Sequence, residues 1–404
     1  MTLDPSGRLE LTGDTINTAL VNSGVIDVFK TGSIINGAVT QTNSGVLIVT
    51  GNLAFGAGEI TFANGFTNDG TIKLDNDSTS TAAATLTIVA GTLTNGTMAS
   101  IAITDDDLSL VSSHRIDADL VNNGVILIEA DLELNRASGV HVNNGTIALE
   151  SATVDLTQAI SFTNSAGGRI EGSGTIISGN LIQDGTLVPE QADTLPVTSQ
   201  TLTIDGTLHQ SGAIEIDVIG LADFDHVIVT TGLLDLQAGN ILRLDFQAGH
   251  GIVGGETLDN VISYSSVGGI ADIPNIEHNL GAGYVLDAIN DGSNFDISIT
   301  ALFDREFDVA SGDWALATNW TADTLPIPSD NVRIGSIISA AVTHTGMQTD
   351  TINSLTIEAA SSLDITDGSI VLNQSSSVFG GASLTLNANG LGPANLVIND
   401  LLTV

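Results

Sequence analysis

The sequence predicts an all-β chain wound as a parallel β-helix, and three observations carry that expectation. A pentapeptide, Asn-x-Gly-(Val/Thr)-(Ile/Leu), recurs along the first half of the chain. Between its copies apolar residues alternate with polar ones at period two, and no segment sustains a 3.6-residue period with caps over three helical turns. Glycine is abundant, at 44 of 404 residues, and proline scarce, at 7, as suits a chain that turns often in a stereotyped way.

The pentapeptide reads NSGVI at Asn22, NSGVL at Asn43, NDGTI at Asn68, NNGVI at Asn122 and NNGTI at Asn143. Degenerate copies are NGTM at Asn95, NSAGGRI at Asn164, QDGTL at Gln183 and IDGTL at Ile204. The steps from 22 to 43, 122 to 143, 143 to 164 and 183 to 204 are each 21 residues, and the others run from 19 to 27. Punctuation at that period marks stacked supersecondary units, longer than the turn spacing of a β-sandwich. Within one unit, LVNNG, VILIE, ADLELN and GVHV supply three short strand faces between Leu120 and Val142. Asn and Gly tolerate the positive φ expected of a sharp corner, and the β-branched pair that follows starts the next strand. Stacking would set each Asn above the previous one, so that side-chain amides bond along the axis as in cross-β ladders. At ~4.8 Å per coil, residues 1–212 would make roughly ten coils.

Beyond Gly212 the beat fades while strand candidates continue, among them AIEIDVI, HVIVT, ILRLDF and FDISIT. Residues 213–302 are expected to form an irregular or antiparallel β cap that covers the bare end of the solenoid. Both tryptophans, Trp314 and Trp320, follow, with Pro326, Pro328 and Asp330 close behind. Paired large aromatics there read as a plug over the open end of the next core. Strands resume from Asn353, so residues 303–404 are expected to open a second solenoid unit.

Composition bounds the function. Hydrophobic residues make up 42% but aromatics only 4%, so the core must be filled by Val, Ile, Leu, Thr and Ala. A net charge of −38, from 47 acidic against 9 basic residues, repels nucleic acid and anionic lipid. The same charge opposes edge-to-edge association, and external salt or calcium would screen it. With no cysteine, disulfides and thiolate metal sites are excluded. No run is apolar for the ~20 residues a membrane helix needs. The opening MTLDPSGRLE has no signal-peptide core, and both ends fall inside strand-like patterns, so the chain reads as an excerpt of a larger parent with an added Met.

Candidate chemistry is sparse. The densest acidic cluster is Asp105, Asp106 and Asp107, with His114 and Arg115 nearby, a catalytic or calcium patch if it is not a solvated loop between coils. Asp75 and Asp77, Asp291 and Asp296, and Asp367 place oxygen ligands at short spacing. They match neither the EF-hand loop nor a β-roll nonapeptide, and ordinary Asx turns explain them. The seven arginines, from Arg8 to Arg333, do not recur at the coil period as a lyase would need for a substrate carboxylate. Histidines such as His141 and His226 are isolated in sequence, and no nucleophile elbow or phosphate-cradling loop is present. Threonine pairs at Thr85 and Thr201 are similar to the flat arrays of ice-binding solenoids but do not recur in every coil, so no ice-binding face is expected. No catalytic, cofactor-binding or metal residue is therefore assigned, and the only cation association expected is non-specific or weak binding of calcium.

The run from DGTLHQSGAIEID through DFDHVIV, and the W-x5-W, Pro and Asp-x-Val-x-Ile cluster, resembles autotransporter passengers and related giant repetitive bacterial surface adhesins. That resemblance implies secretion, a right-handed parallel β-helix, and adhesive or scaffold roles. The chain lacks the family's signal peptide and outer-membrane barrel, which leaves the export route unassigned. The expected protein is a non-enzymatic extracellular adhesin or fibre segment, located at the cell surface. Its expected partners are neighbouring units of the same protein, assembled end to end in a filament variant, and a host-surface or glycan ligand. The rival is a carbohydrate-active β-helix enzyme.

Overall fold

In a computed structural model the chain is described throughout except at residues 78–79, 106–112, 191–197, 248–254, 271, 281–283, 336–338 and 389–391. It is a parallel β-solenoid of about 14 turns. Among the described residues there is no α-helix, only two short 3-10 turns at Ala317–Asn319 and Thr321–Asp323, and hence no helix long and apolar enough to cross a membrane.

Each coil of the first solenoid visits three faces. Face A begins with Thr2–Leu3, Leu20–Asn22 and Val39–Gln41, which pair in parallel and continue into the end of Gly58–Asn68. Face B stacks Arg8–Leu11, Val25–Val28, Val46–Gly51, Thr71–Asn76, Ser100–Ile103 and Val125–Ile128 in the same sense. Face C begins with Thr15–Ile16 and Ser33–Ile35, and continues through the first halves of Gly58–Asn68 and Ala84–Asn95. Period-two alternation sends every second side chain inward, and parallel register stacks like on like. On face B, Ile26, Leu47, Ile72, Ile101, Ile126, Ile147, Ile170, Leu187, Ile214 and Leu242 form one unbroken internal column, none more than 6% exposed. Each contributes about 1.5–3 kcal/mol by burial.

At the end of face A runs a second column, made of amides. Asn22, Gln41, Asn68, Asn95, Asn122, Asn143, Asn164 and Gln183 are all buried. The side-chain NH₂ of each donates to the amide oxygen on the next coil, from Asn22 to Gln41 (3.1 Å) up to Asn164 to Gln183 (2.9 Å). From Asn22 to Asn164 the second N–H reaches a backbone carbonyl one coil on, such as Val46 from Asn22 and Thr146 from Asn122, while the Gln183 amide nitrogen, at the end of the column, has no partner among the described residues. The oxygen also accepts the N–H of the glycine two residues later at Asn22, Asn68 and Asn122. One amide thus satisfies buried polar groups on two coils at once, which is the condition for keeping it inside.

Several expectations change in detail. Asn43 is exposed, and the residue in the column is Gln41. Ile204 belongs to the apolar column of face C, and Gln210 takes the rung expected of IDGTL. Column steps are therefore not uniform: they are 19, 21 or 27 residues. Most of the difference arises at one corner, between faces B and C. The short passage from Val28 to Ser33 corresponds on the next coil to the longer passage from Val49 to Ile60. The passages from Leu74 to Leu86 and from Ile103 to Ile116 are longer too, so the insertions share one edge of the rod.

The glycine of the pentapeptide has a different cause from the one expected. Gly24, Gly70, Gly124 and Gly145 do not lie at positive φ. A Cβ on Gly70 would sit 2.1 Å from the Gly45 carbonyl oxygen, and one on Gly145 2.1 Å from that of Gly124. Glycine is required because consecutive corners approach closely along the axis, not because the turn is left-handed.

Parallel winding also runs past residue 212. Ala213–Gly220, Ile241–Phe246 and Ile276–His278 extend face B. The antiparallel cap is smaller than 213–302: it consists chiefly of the hairpin Tyr284–Asn290 with Asn294–Ala301, laid antiparallel on Thr257–Tyr264.

A second three-faced solenoid follows. Arg305–Phe307, Asn331–Ile334 and Ser354–Ile357 stack on one face, Ser311–Asp313, Ala341–His344 and Ser362–Ile365 on another, and Thr349–Ile352 with Gly368–Leu372 on the third. Trp314 and Trp320 are buried at its start, in edge contact at 4.8 Å, with the Trp320 indole donating to the Trp314 carbonyl (2.7 Å). The two cores meet at Arg333, 3% exposed, which donates to the Leu280 carbonyl (2.9 Å), pairs with Glu358 (3.0 Å) and lies over the Tyr284 and Phe303 rings.

Candidate functional site

Alternation along Ser113–Asn122 sends His114 inward and Arg115 outward, so the two do not form one constellation. The His114 ring is buried; its Nδ1 accepts the Ala84 N–H (3.0 Å) and its Nε2 meets Asp105 (2.9 Å). An Nδ1 that accepts fixes the neutral tautomer with the proton on Nε2, directed at Asp105. His114 is a strut between coils, sealed from any substrate. Arg115 turns to Asp117 (3.2 Å) on the outer surface. Asp106 and Asp107 lie outside the described residues.

Of the aspartates expected at Asx turns, Asp291 makes one, whereas Asp75 and Asp296 lie within strands and take partners from distant parts of the chain. Asp75 is paired with Lys73 (2.6 Å) and accepts from Thr104 (2.8 Å). Asp291 accepts the N–H groups of Ser293 (2.8 Å) and Asn294 (2.7 Å), and these bonds pull its carboxyl down to about 2. Asp296 accepts from the Asn260 N–H (2.7 Å), and Asp367 from that of Gly368 (3.1 Å). Asp77 is exposed. Thr85 stacks between Glu59 and Arg115, and Thr201 beside His226, so neither belongs to a threonine array. His226 meets the Asn260 carbonyl (3.0 Å) and packs at a tilt against the Phe224 ring.

Folding assembles two features that the sequence did not reveal. The first is a carboxylate group on the outer side of face B: oxygens of Glu190, Asp217 and Asp225 lie within 4.8 Å of one another. Asp225 is fully buried and accepts the N–H groups of Gln200 (2.8 Å) and Asp217 (3.2 Å). Burial raises its carboxyl to about 6, against the lowering effect of those bonds. The three could hold a cation. Asp225 has no open side, and a general acid must reach the leaving oxygen, so Asp225 is not placed for that role. Coil arithmetic was the available signal: Glu190 precedes Asp217 by the 27 residues that separate Gln183 from Gln210.

The second is a groove of about 460 Å³ along the same face, lined by Arg169, Glu215, Asp217, Arg243, Asp245 and Glu277. Two arginines that looked scattered are brought together there. Arg169 and Arg243 each bond Glu215 at 3.0 Å, Arg169 also holds Glu171 (2.5 Å), and Arg243 holds Glu277 (2.7 Å). Both guanidinium groups are committed to protein carboxylates, and those pairs raise their pKa against the opposing effect of burial at Arg169. The groove is an ion ladder in which two arginines face four lining carboxylates, Glu215, Asp217, Asp245 and Glu277, so it keeps a negative balance. The chain matches no protein-family model and no curated protein.

Proposed function

We propose that the chain is a non-enzymatic extracellular structural protein, a rod-like segment of a bacterial surface adhesin or fibre. The observation that supports this reading is the amide column, which ties eight successive coils, Asn22 to Gln183, into one hydrogen-bonded stack. A stack of that kind resists bending and pulling along its axis, as a scaffold requires, and at about 14 turns it is roughly 65 Å long. Two solenoid units joined in series through Arg333 extend the same design. Insertions gathered at the corner between faces B and C give the rod one variable edge, where contacts with a host surface or glycan would be carried. The high negative charge fits an exposed, salt-bathed location better than a nucleic-acid or lipid partner.

Two measurements test the proposal together. Antibody labelling of intact cells that make the full-length parent should place this segment outside the cell. Incubation of the purified chain with a panel of polysaccharides should release neither reducing ends nor unsaturated uronides. Turnover that disappears in Asp217→Asn would replace the structural reading with an enzymatic one.

A further inference from the structure

Face A carries one inward residue that the rod does not need for cohesion. His141 stands in an apolar column, in register with Leu120 on the coil before and Phe162 on the coil after. It is fully buried, and neither ring nitrogen has a hydrogen-bond partner among the described residues. Leu120 and Phe162, its neighbours along the column, are buried and apolar and offer the imidazole nothing to bond. The charged group that acts on the ring is Asp119, on the neighbouring strand, and its carboxylate accepts the Val140 N–H (3.0 Å). From the preceding turn, Arg136 directs its guanidinium away, to the carbonyls of Ile88 and Val89.

We propose that His141 is a proton-gated weak point in the rod: its coil closes on the neutral imidazole and opens to release the imidazolium. A buried cation without a partner is far costlier than a buried neutral ring. Burial pulls the ring down from 6.5 to about 4, with Asp119 opposing. Opening therefore takes up a proton between those values, and local opening grows as pH falls through that window. Between pH 7 and pH 5 the opening equilibrium should rise about twentyfold. The gate lies between Asn122 and Asn164, in the middle of the amide column, so opening there would interrupt the axial stack.

Hydrogen exchange on the full chain tests this, after correction for the intrinsic effect of pH. Amides of Val140–Asn143 and of the flanking strands Ser113–Asn122 and Ser161–Asn164 should lose about twentyfold protection from pH 7 to pH 5. Strands of the second solenoid should not share that loss. His141→Leu, which restores the apolar column, should abolish it. Equal loss in wild type and His141→Leu, or no local excess in wild type, would overturn the proposal. An NMR titration of the wild-type ring supplies a readout independent of the variant: titration near 6.5 would overturn it as well.

Discussion

Asn122 and Asn123 are identical in type and adjacent in sequence, yet the structure gives them opposite weight. Asn122 is buried; it donates to Asn143 (2.7 Å) and to the Thr146 carbonyl (3.0 Å), and accepts from Asn95 (2.8 Å) and from the Gly124 N–H (3.2 Å). In Asn122→Ala, the Gly124 N–H and the Asn143 side-chain oxygen lose these partners inside the stack. Each orphaned group costs about 1–3 kcal/mol, and the small cavity adds to it, so the sum is about 3–5 kcal/mol. Asn123→Ala removes one bond at the surface, from the Asn144 amide (2.9 Å), and should cost under about 1 kcal/mol. Repeat arrays do not always unfold in one step, so urea melts should be paired with hydrogen exchange resolved to the strands Val125–Ile128 and Val140–Asn143. Only Asn122→Ala should deprotect both. If the two variants lose equal stability, the amide column does not hold the coils together.

The remaining predictions probe other joints. Gly145→Ala should destabilise by more than about 3 kcal/mol in a urea melt, because its Cβ would stand 2.1 Å from a backbone oxygen that the stack cannot move. Arg333→Met should leave each solenoid folded but uncouple their melting by calorimetry, since it removes the contacts to Leu280 and Glu358 at once. His344 behaves oppositely to His141. Burial lowers its pKa, but Asp350 (2.8 Å) and the Asp367 carbonyl (2.8 Å) more than offset this, so the folded value is raised. Its stabilisation is full below about pH 6.5 and is lost as pH rises through the raised folded value. The stability gap between wild type and His344→Phe should therefore shrink from pH 6 to pH 9.

How much of this was legible depends on how local the cause is. Period-two alternation is local, and it led to the strands and the solenoid. The column marker is half local. Asn22, Asn68, Asn122 and Asn143 stand two residues before their glycine and announced themselves. Gln41 was hidden because two inserted residues moved it away from Gly45 and left a decoy at Asn43. The role of the glycines is not legible in the sequence, because their crowding comes from the neighbouring coil, which no single repeat displays. The marker also ends before the winding does. At the rung after Gln210 the column residue is Leu236, which keeps the parallel register but gives the Gln210 side-chain oxygen no donor, so the coils continue without the signature. The Arg169–Glu215–Arg243 ladder comes from separate coils, and only the register brings its members together; Glu190 joins Asp217 in the same way, whereas Asp225 is folded back onto Asp217 by the short antiparallel pairing of Ala213–Gly220 with Asp223–Phe224.

The register itself can be read in solution, because the chain has no cysteine of its own. Asn123 and Asn144 occupy the same corner on adjacent coils, and in-register parallel neighbours lie about 4.8 Å apart, within disulfide reach. Under mild oxidation, the double variant Asn123→Cys/Asn144→Cys should form an intramolecular disulfide rapidly and keep its fold. Asn123→Cys/Ser165→Cys, two coils apart, should not. Equal bridging in both, or none in the first, would contradict a single solenoid in which residues 122, 143 and 164 rise in one file.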